Sequence, residues 1–237
     1  MSFIITVYTN EGIVMASDSR TTYTRTNTRS DGTVEQLVGV QITDTTYKTF
    51  LCNARIGLST CGTASINGMP IAGFIEDFIT KKINDDSSIE DVAKELLDYF
   101  SAFNPAPNTS FIVAGYNNND PTQHICRVYV AAKSVVPIKD TNVPGALWDG
   151  ETDVFIRLFK NVALKQEDGT YADLNNYTTG FNFFTLQDAI DYAIYAVDVT
   201  IKTMFFQDRV KTVGGPIDIL AIKPRGAVWI QRKELHA

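Results

Sequence analysis

The chain predicts an α+β fold: two antiparallel sheets stacked as a four-layer αββα sandwich, with helices outside each sheet. Three observations lead there. Strand-like and helix-like segments come in blocks, in the order strands, two helices, strands, two helices, strands. The runs FIIT, FIVA and IDILAI are apolar at successive positions, as expected of strands covered on both faces. Neighbouring strand segments are joined by short turn sequences, which suits hairpins.

Residues 3–9 (FIITVYT) and 12–17 (GIVMAS) are β-branched and apolar and meet at the Glu11-Gly12 turn, so they predict a buried hairpin. Residues 21–46 are rich in Thr, Ser, Asn and Asp and predict an exposed loop or irregular hairpin, with a strand over 34–42 after Asp31-Gly32. A second hairpin follows over 47–52 and 55–62, bending at Asn53-Ala54. Helical spacing of Ile66, Met69, Ile71, Phe74, Ile75, Phe78 and Ile79 predicts a helix over 64–82, with Gly68 and Pro70 disturbing its first turns. A second helix over 88–103 is capped by Ser87 or Ser88.

Strands resume over 110–117 and 124–132, then near 134–138 and 144–148. A helix is predicted over 151–160 and a longer one over 184–207, where Thr185 as N-cap and Asp188 form a capping-box variant. Strands over 216–224 and 227–233 close the series. No internal repeat or linker-like stretch interrupts it, so one domain over 1–237 is expected.

Charge and cysteine usage exclude several functions. The net charge of −6 argues against nucleic acid, whose phosphates need clustered Lys and Arg. No apolar run approaches the roughly 20 residues that span a bilayer, and no signal-peptide pattern opens the chain. The expected partners therefore include neither membrane nor nucleic acid, and the expected compartment is the cytoplasm. Cys52, Cys61 and Cys126 are odd in number and lack a CxxC pattern, so they read as reduced core thiols. His124 and Cys126 share a strand face, but no second His/Cys pair completes a four-ligand zinc set, so no metal is expected. His236 stands at a frayed end, and a histidine-based triad is not expected.

The chemistry suggested by the opening is different. Removal of Met1, which the small Ser2 side chain permits, would leave Ser2 with a hydroxyl and its own α-amine. A hydroxyl needs a base within reach, and an α-amine titrating near pH 8 can be that base, directly or through a water. Asp18 ends the hairpin partner of the Ser2 strand, and Lys48 begins a later strand. A buried lysine held by Asp18 would lower the pKa of both Ser2 groups. Gly62 lies where a strand is expected to run into a helix, so its N–H would suit an oxyanion. A plainer reading stands beside this one: Asp18 and Arg20 as a hairpin-end ion pair, Lys48 as a solvated strand end and Gly62 as a turn.

On these residues the chain resembles the proteasome β-subunit family of N-terminal nucleophile hydrolases, especially its small bacterial relatives. That family opens with a nucleophilic Thr, less often Ser or Cys, and a strand. An acidic-Gly turn, a G-V-V-L-A-A-D-x-R strand, K-x-F and a G-hydrophobic-x-x-x-G strand follow. Here the corresponding residues are Ser2, Glu11-Gly12, GIVMASDSR, Lys48-Thr49-Phe50 and Gly57 to Gly62, ungapped from Ser2 to Arg20 and from Lys48 to Gly62, with an insertion relative to the family within 23–46 between them. FIVAGYN and GGPIDILAI resemble later strands of the family.

The resemblance implies the N-terminal nucleophile hydrolase fold and amide hydrolysis through an acyl ester on Ser2, without a cofactor. It implies Asp18 and Lys48 as the supporting pair and the Gly62 N–H as oxyanion donor. The Thr22 backbone would pair with an extended peptide, and Thr60, Ala64 and Phe50 would border the specificity pocket. Arg20, Asp149, Asp208 and Thr212 are further supporting candidates. The family's Gly-Ser-Gly is replaced by Trp148-Asp149-Gly150-Glu151, and the Asp208–Thr212 spacing is longer than the family's. The implied partners are a peptide or unfolded protein substrate and further copies of the chain in a ring or helical array. Two alternatives remain: a non-catalytic structural or assembly subunit, and an amidase acting on a small amide.

Overall fold

The computed structural model of the chain describes residues 2–175 and 177–234, apart from the Val38 side chain. It is an α+β structure with several antiparallel sheets and, among the described residues, four α-helices. The first strands are β1 (Phe3–Thr9) and β2 (Gly12–Ser17), paired so that Ile4 faces Ser17. Next come β3 (Thr21–Thr28) and β4 (Val34–Thr43), a separate two-stranded hairpin made from the polar segment 21–46. Of the two readings for this segment, exposed loop or irregular hairpin, the structure has the hairpin, with a register shift between Tyr23 and Thr24; TTYTRTNT has no apolar alternation and is strand through its pairing with β4. β5 (Thr49–Asn53) and β6 (Ile56–Gly62) form the next hairpin.

The helix expected from residue 64 starts seven residues later. Ser65–Ile66 and Met69–Pro70 pair as the short strands β7 and β8. Asn67 and Gly68 between them have φ of 50° and 78°, the pair of positive values that a two-residue hairpin turn requires. α1 (Ile71–Lys82) begins directly after Pro70, which lacks an N–H. α2 (Ile89–Ser101) is capped by Ser88, whose hydroxyl accepts from the Asp91 N–H at 3.1 Å.

After α2 come β9 (Thr109–Tyr116), β10 (Gln123–Tyr129), β11 (Ser134–Pro137) and β12 (Gly145–Gly150). α3 (Asp153–Phe159) begins beyond β12, so Trp148, Asp149 and Gly150 are strand residues rather than a helix start. A small unpredicted hairpin, β13 (Ala163–Lys165) with β14 (Tyr171–Asp173), precedes α4 (Leu186–Phe206). The predicted capping box is present: Thr185 Oγ1 accepts from the Asp188 N–H at 3.2 Å, and Asp188 Oδ2 accepts from the Thr185 N–H at 2.8 Å. β15 (Asp218–Lys223) and β16 (Gly226–Gln231) follow.

One five-stranded sheet has the order β12-β1-β2-β15-β16 and the other β11-β10-β9-β6-β5. The side chains of β1 divide by the period of two. Phe3, Ile5 and Val7 join Phe155, Ala193 and Val197 in a core against α3 and α4, while Ile4 joins Ile112, Ala114 and Ile125 of the other sheet. Leu58, Phe111, Val113 and Val128 face the opposite way, against Ile75, Phe78, Leu96 and Phe100 of α1 and α2. Strands covered on both faces need no polar positions, which is why their sequences read as unbroken apolar runs. Among the described residues, no helix is long and apolar enough to cross a membrane.

Candidate active site

The head of β1, the ends of β2, β6 and β12, and the residues before β5 meet at one end of the two sheets. Register alone places Ser2 there: Phe3 lies opposite Gly150 on one side, and Ile4 lies opposite Ser17 on the other. The Ser2 carbonyl accepts from the Glu151 N–H at 2.7 Å, and Ser2 is buried. Gly150 is required beside it. A Cβ at Gly150 would sit 1.9 Å from the Ser2 carbonyl oxygen, and its φ of 93° suits glycine.

Asp18 is the hub. Its carboxylate is fully buried and accepts from four donors: Phe3 N–H at 3.0 Å and Lys48 Nζ at 2.7 Å on Oδ1, Arg20 N–H at 3.1 Å and Gly214 N–H at 3.0 Å on Oδ2. A buried carboxylate is tolerable only when satisfied in this way. The Phe3 contact also fixes the backbone immediately after Ser2.

Lys48 is 3% exposed, so it is not a solvated strand end. Besides Asp18, its Nζ donates to the Arg20 carbonyl. Burial pushes its ammonium below the ordinary lysine range, and the Asp18 carboxylate opposes that shift. The next residue continues the polar interior. Thr49 Oγ1 donates to Ser17 Oγ at 2.8 Å and lies 3.0 Å from Ser59 Oγ.

Ser2, Lys48 and Gly62 line one cleft with Thr21, Tyr47, Thr60, Cys61, Ala64 and Ile71. Its volume of about 20 Å³ is near that needed for one water. Gly62 ends β6 and does not lie at a helix N-terminus, because the β7–β8 hairpin separates it from α1. Its N–H still serves the cleft. Thr60 N–H donates to the Lys48 carbonyl and Thr63 N–H to the Asn108 carbonyl, so strand alternation directs the Gly62 N–H away from β9, to the Lys48 side. The φ of 109° and the close approach to Asn108 explain why this position is glycine.

The remaining candidates separate. Thr60 and Ala64 line the cleft. Phe50 does not: it is buried in the core under α1 and α2. Thr22 pairs opposite Ile42 within the hairpin, and its neighbour Thr21 faces the cleft. The Arg20 guanidinium makes a two-pronged bond to Asp44, 2.7 Å on each prong, rather than pairing with Asp18. Asp149 accepts from the Gly150 N–H at 2.7 Å and lies beside Cys61, whose thiol is pushed up by burial first and by Asp149 second. Asp208 is exposed, and no bond between it and the Asp18 group is present among the described residues. Thr212 is buried with its Oγ1 unpartnered.

Sequence reasoning missed Cys61 as a cleft residue; in the segment after α4 it pointed to Asp208 and Thr212 and missed Arg209 and Gly214. There the Gly214 N–H reaches Asp18, while Arg209 bridges Glu151 at 2.6 Å and Asp153 at 2.7 Å. The Gly214-Gly215 pair before a strand was the available signal. His124 is held between Glu90 at 2.7 Å and Asp120 at 2.9 Å, and Cys126 is buried in the core. Met1 and His236 lie outside the described residues.

Among solved structures, the chain is similar to an Anbu (Gly-1) mutant from Hyphomicrobium sp. strain MC1. The TM-score is 0.62 and the identity 16%, over 98% of this chain and 87% of that one. It is also similar to Anbu (ancestral beta-subunit) from Yersinia bercovieri, with TM-score 0.62 and 14% identity over 96% and 86% of the two chains. No family model and no curated protein matches the chain. These findings correct the resemblance read from the sequence. Membership of the proteasome β-subunit family is not supported, and the link to the proteasome-related Anbu structures is a likeness of fold at low identity, with nothing shown of activity.

Proposed function

We propose that this chain hydrolyses an amide or peptide bond with Ser2, exposed as a new N-terminus by removal of Met1. The observation that carries the reading is the buried Asp18 carboxylate, which holds Lys48 in the cleft that Ser2 lines. A stability role explains this poorly, because a buried ion pair contributes little net stability over an apolar pair of the same size.

In the proposed reaction the Ser2 amine takes the hydroxyl proton as Oγ attacks the substrate carbonyl carbon. The Lys48 ammonium favours the deprotonated forms of both Ser2 groups. The Gly62 N–H receives the oxyanion. Collapse breaks the C–N bond, the leaving amine takes the proton from the Ser2 ammonium, and an acyl ester remains. Water, deprotonated by the same amine, attacks the ester and releases the acid. The one-water volume of the cleft suits a water carrying the proton between hydroxyl and amine.

The reading carries with it a single domain with αββα layering, supported by the three apolar clusters. It also carries a peptide or unfolded protein as substrate, self-assembly into a ring or helical array, and a cytoplasmic setting. One observation favours a second reading, a non-catalytic assembly subunit: the cleft has no room for a substrate side chain without widening. Intact mass before and after a β-lactone or epoxyketone probe separates the two. Loss of Met1 with one adduct on Ser2, absent in Ser2→Ala, is the expected result. Retained Met1 without an adduct would establish the second reading.

A further inference from the structure

A second buried lysine–aspartate pair lies near the first and has no part in the proposed chemistry. Lys233 follows β16. Its N–H donates to Asp218 Oδ1 at 2.9 Å and its Nζ to Asp218 Oδ2, with side chains only 5% and 0% exposed. Asp218 opens β15 directly opposite Ser17, the residue before the Asp18 hub. A rigid strand pair therefore anchors this ammonium to the sheet that carries the candidate site.

From that anchor Lys233 reaches Tyr47. Its Nζ lies 4.3 Å from the centre of the Tyr47 ring, and its carbonyl accepts from the Tyr47 hydroxyl at 3.3 Å. The Arg232 guanidinium lies 4.9 Å from the same ring and 4.8 Å from Trp229. Tyr47 immediately precedes Lys48 and forms a wall of the cleft. Two cations and a hydrogen bond thus converge on one ring beside the nucleophile, and cation–ring attraction strengthens when the cation is desolvated.

We propose that Lys233, anchored by Asp218, is a positioning residue of the candidate site: it fixes the Tyr47 ring as a wall against which an apolar substrate side chain packs once the cleft widens to admit it. The apolar class is read from the part of the lining that Tyr47 shares with Ala64 and Ile71, the rest being mainly the hydroxyl-bearing Thr21, Thr46, Thr60 and Thr63 with Ser2 and Lys48. The inference rests on the hydrolase reading, since it assigns the clamp a role in substrate binding. Removing Lys233 alone would leave Asp218 buried and unpaired, so the test uses the paired substitution Asp218→Asn with Lys233→Met, which removes both charges at similar volume.

Two readouts are needed. The first is nitration of Tyr47 by tetranitromethane, mapped by mass spectrometry. Nitration is expected to be about tenfold faster in the paired variant than in the wild type, and to return to the wild-type rate in Lys233→Arg. The second is inactivation kinetics with a leucine-bearing peptide epoxyketone and with a small β-lactone lacking a side chain. For the paired variant the inhibition constant of the peptide probe should rise about tenfold, with its limiting rate within about twofold of wild type. The small lactone should react as with wild type. Equal Tyr47 nitration in wild type and variant, or slower labelling by both probes alike, would overturn the clamp. If wild type takes neither probe at Ser2, the hydrolase reading fails, and nitration still decides whether Lys233 holds the ring.

Discussion

Asp18→Asn perturbs the hub without changing its size. The carboxylate takes two donors on each oxygen: Phe3 N–H and Lys48 Nζ on one, Arg20 N–H and Gly214 N–H on the other. An asparagine can satisfy only one of these pairs. Its amide nitrogen then faces two donors, leaving two buried N–H groups unpaired at about 1–3 kcal/mol each. Lys48, 3% exposed, also loses its counter-charge, a change that costs about 3–5 kcal/mol when one partner of a buried pair is removed. The two effects share one rearrangement and do not add in full, so the expected loss is about 4–6 kcal/mol. For a chain of this length that is a fall in Tm of about 10–20 °C. Urea unfolding followed by Trp fluorescence measures it, with Lys48→Met and the double variant completing a cycle. The double variant should lose less than the two single losses summed, because no unpaired charge remains. An Asp18→Asn protein within about 1 kcal/mol of wild type, or strictly additive losses, would refute the dependence of the four buried donors on the Asp18 carboxylate.

Gly150→Ala should cost about 2–4 kcal/mol and abolish Ser2 labelling, since the new Cβ meets the Ser2 carbonyl at 1.9 Å, a backbone atom with nowhere to go; a labelled, stable Gly150→Ala protein would show that Ser2 sits elsewhere. Lys48→Met, which keeps the stem but not the charge, should leave Met1 processing intact and suppress probe addition at Ser2; undiminished labelling kinetics would remove Lys48 from the mechanism. For His124, desolvation lowers the pKa, but the Asp120 and Glu90 carboxylates outweigh it and raise the pKa above its ordinary value. A raised folded-state pKa gives stability that is complete below about pH 6.5 and lost as pH rises through the folded value. The stability difference between wild type and His124→Gln should therefore be largest near pH 5.5 and shrink by about pH 9; parallel pH profiles of the two proteins would contradict it.

The strands and the two capped helices were legible because their signals are local. FIITVYT, GIVMAS and IDILAI state burial on both faces in their own composition, and Thr185 with Asp188 marks a helix start within four residues. The β7–β8 hairpin was missed because its apolar residues Ile66 and Met69 continue the helical spacing of α1, while the positive φ values at Asn67 and Gly68 leave no periodic trace. The choice between loop and irregular hairpin at β3 stayed open because a strand outside the core needs no apolar face. Phe50 was placed beside the specificity pocket by the family resemblance alone; in the structure it packs in the core under α1 and α2, behind Ile71, which itself lines the cleft. The Gly214 contact to Asp18 spans 196 residues, and the Arg209 contacts to Glu151 and Asp153 span 58 and 56, and no spacing rule connects partners so far apart.

By itself, the sequence determined which residue types are available: a small hydroxyl residue at position 2, an acid closing one hairpin, a lysine opening another and glycines at the strand ends. Periodicity also determined the α+β character, because burial imposes its pattern on every strand and helix separately. Tertiary structure alone decided which of these groups meet. Register carried Ser2 to Gly150 and Asp218 to Ser17, and the bend after α4 brought Gly214 onto Asp18. Hydrogen bonds and charge pairs act over a few ångströms whatever the chain separation, so Arg20 took Asp44, Lys48 took Asp18, and Tyr47 came under Lys233. Those pairings depend on how the two sheets and the closing segment settle together, which residue identity and spacing do not encode locally.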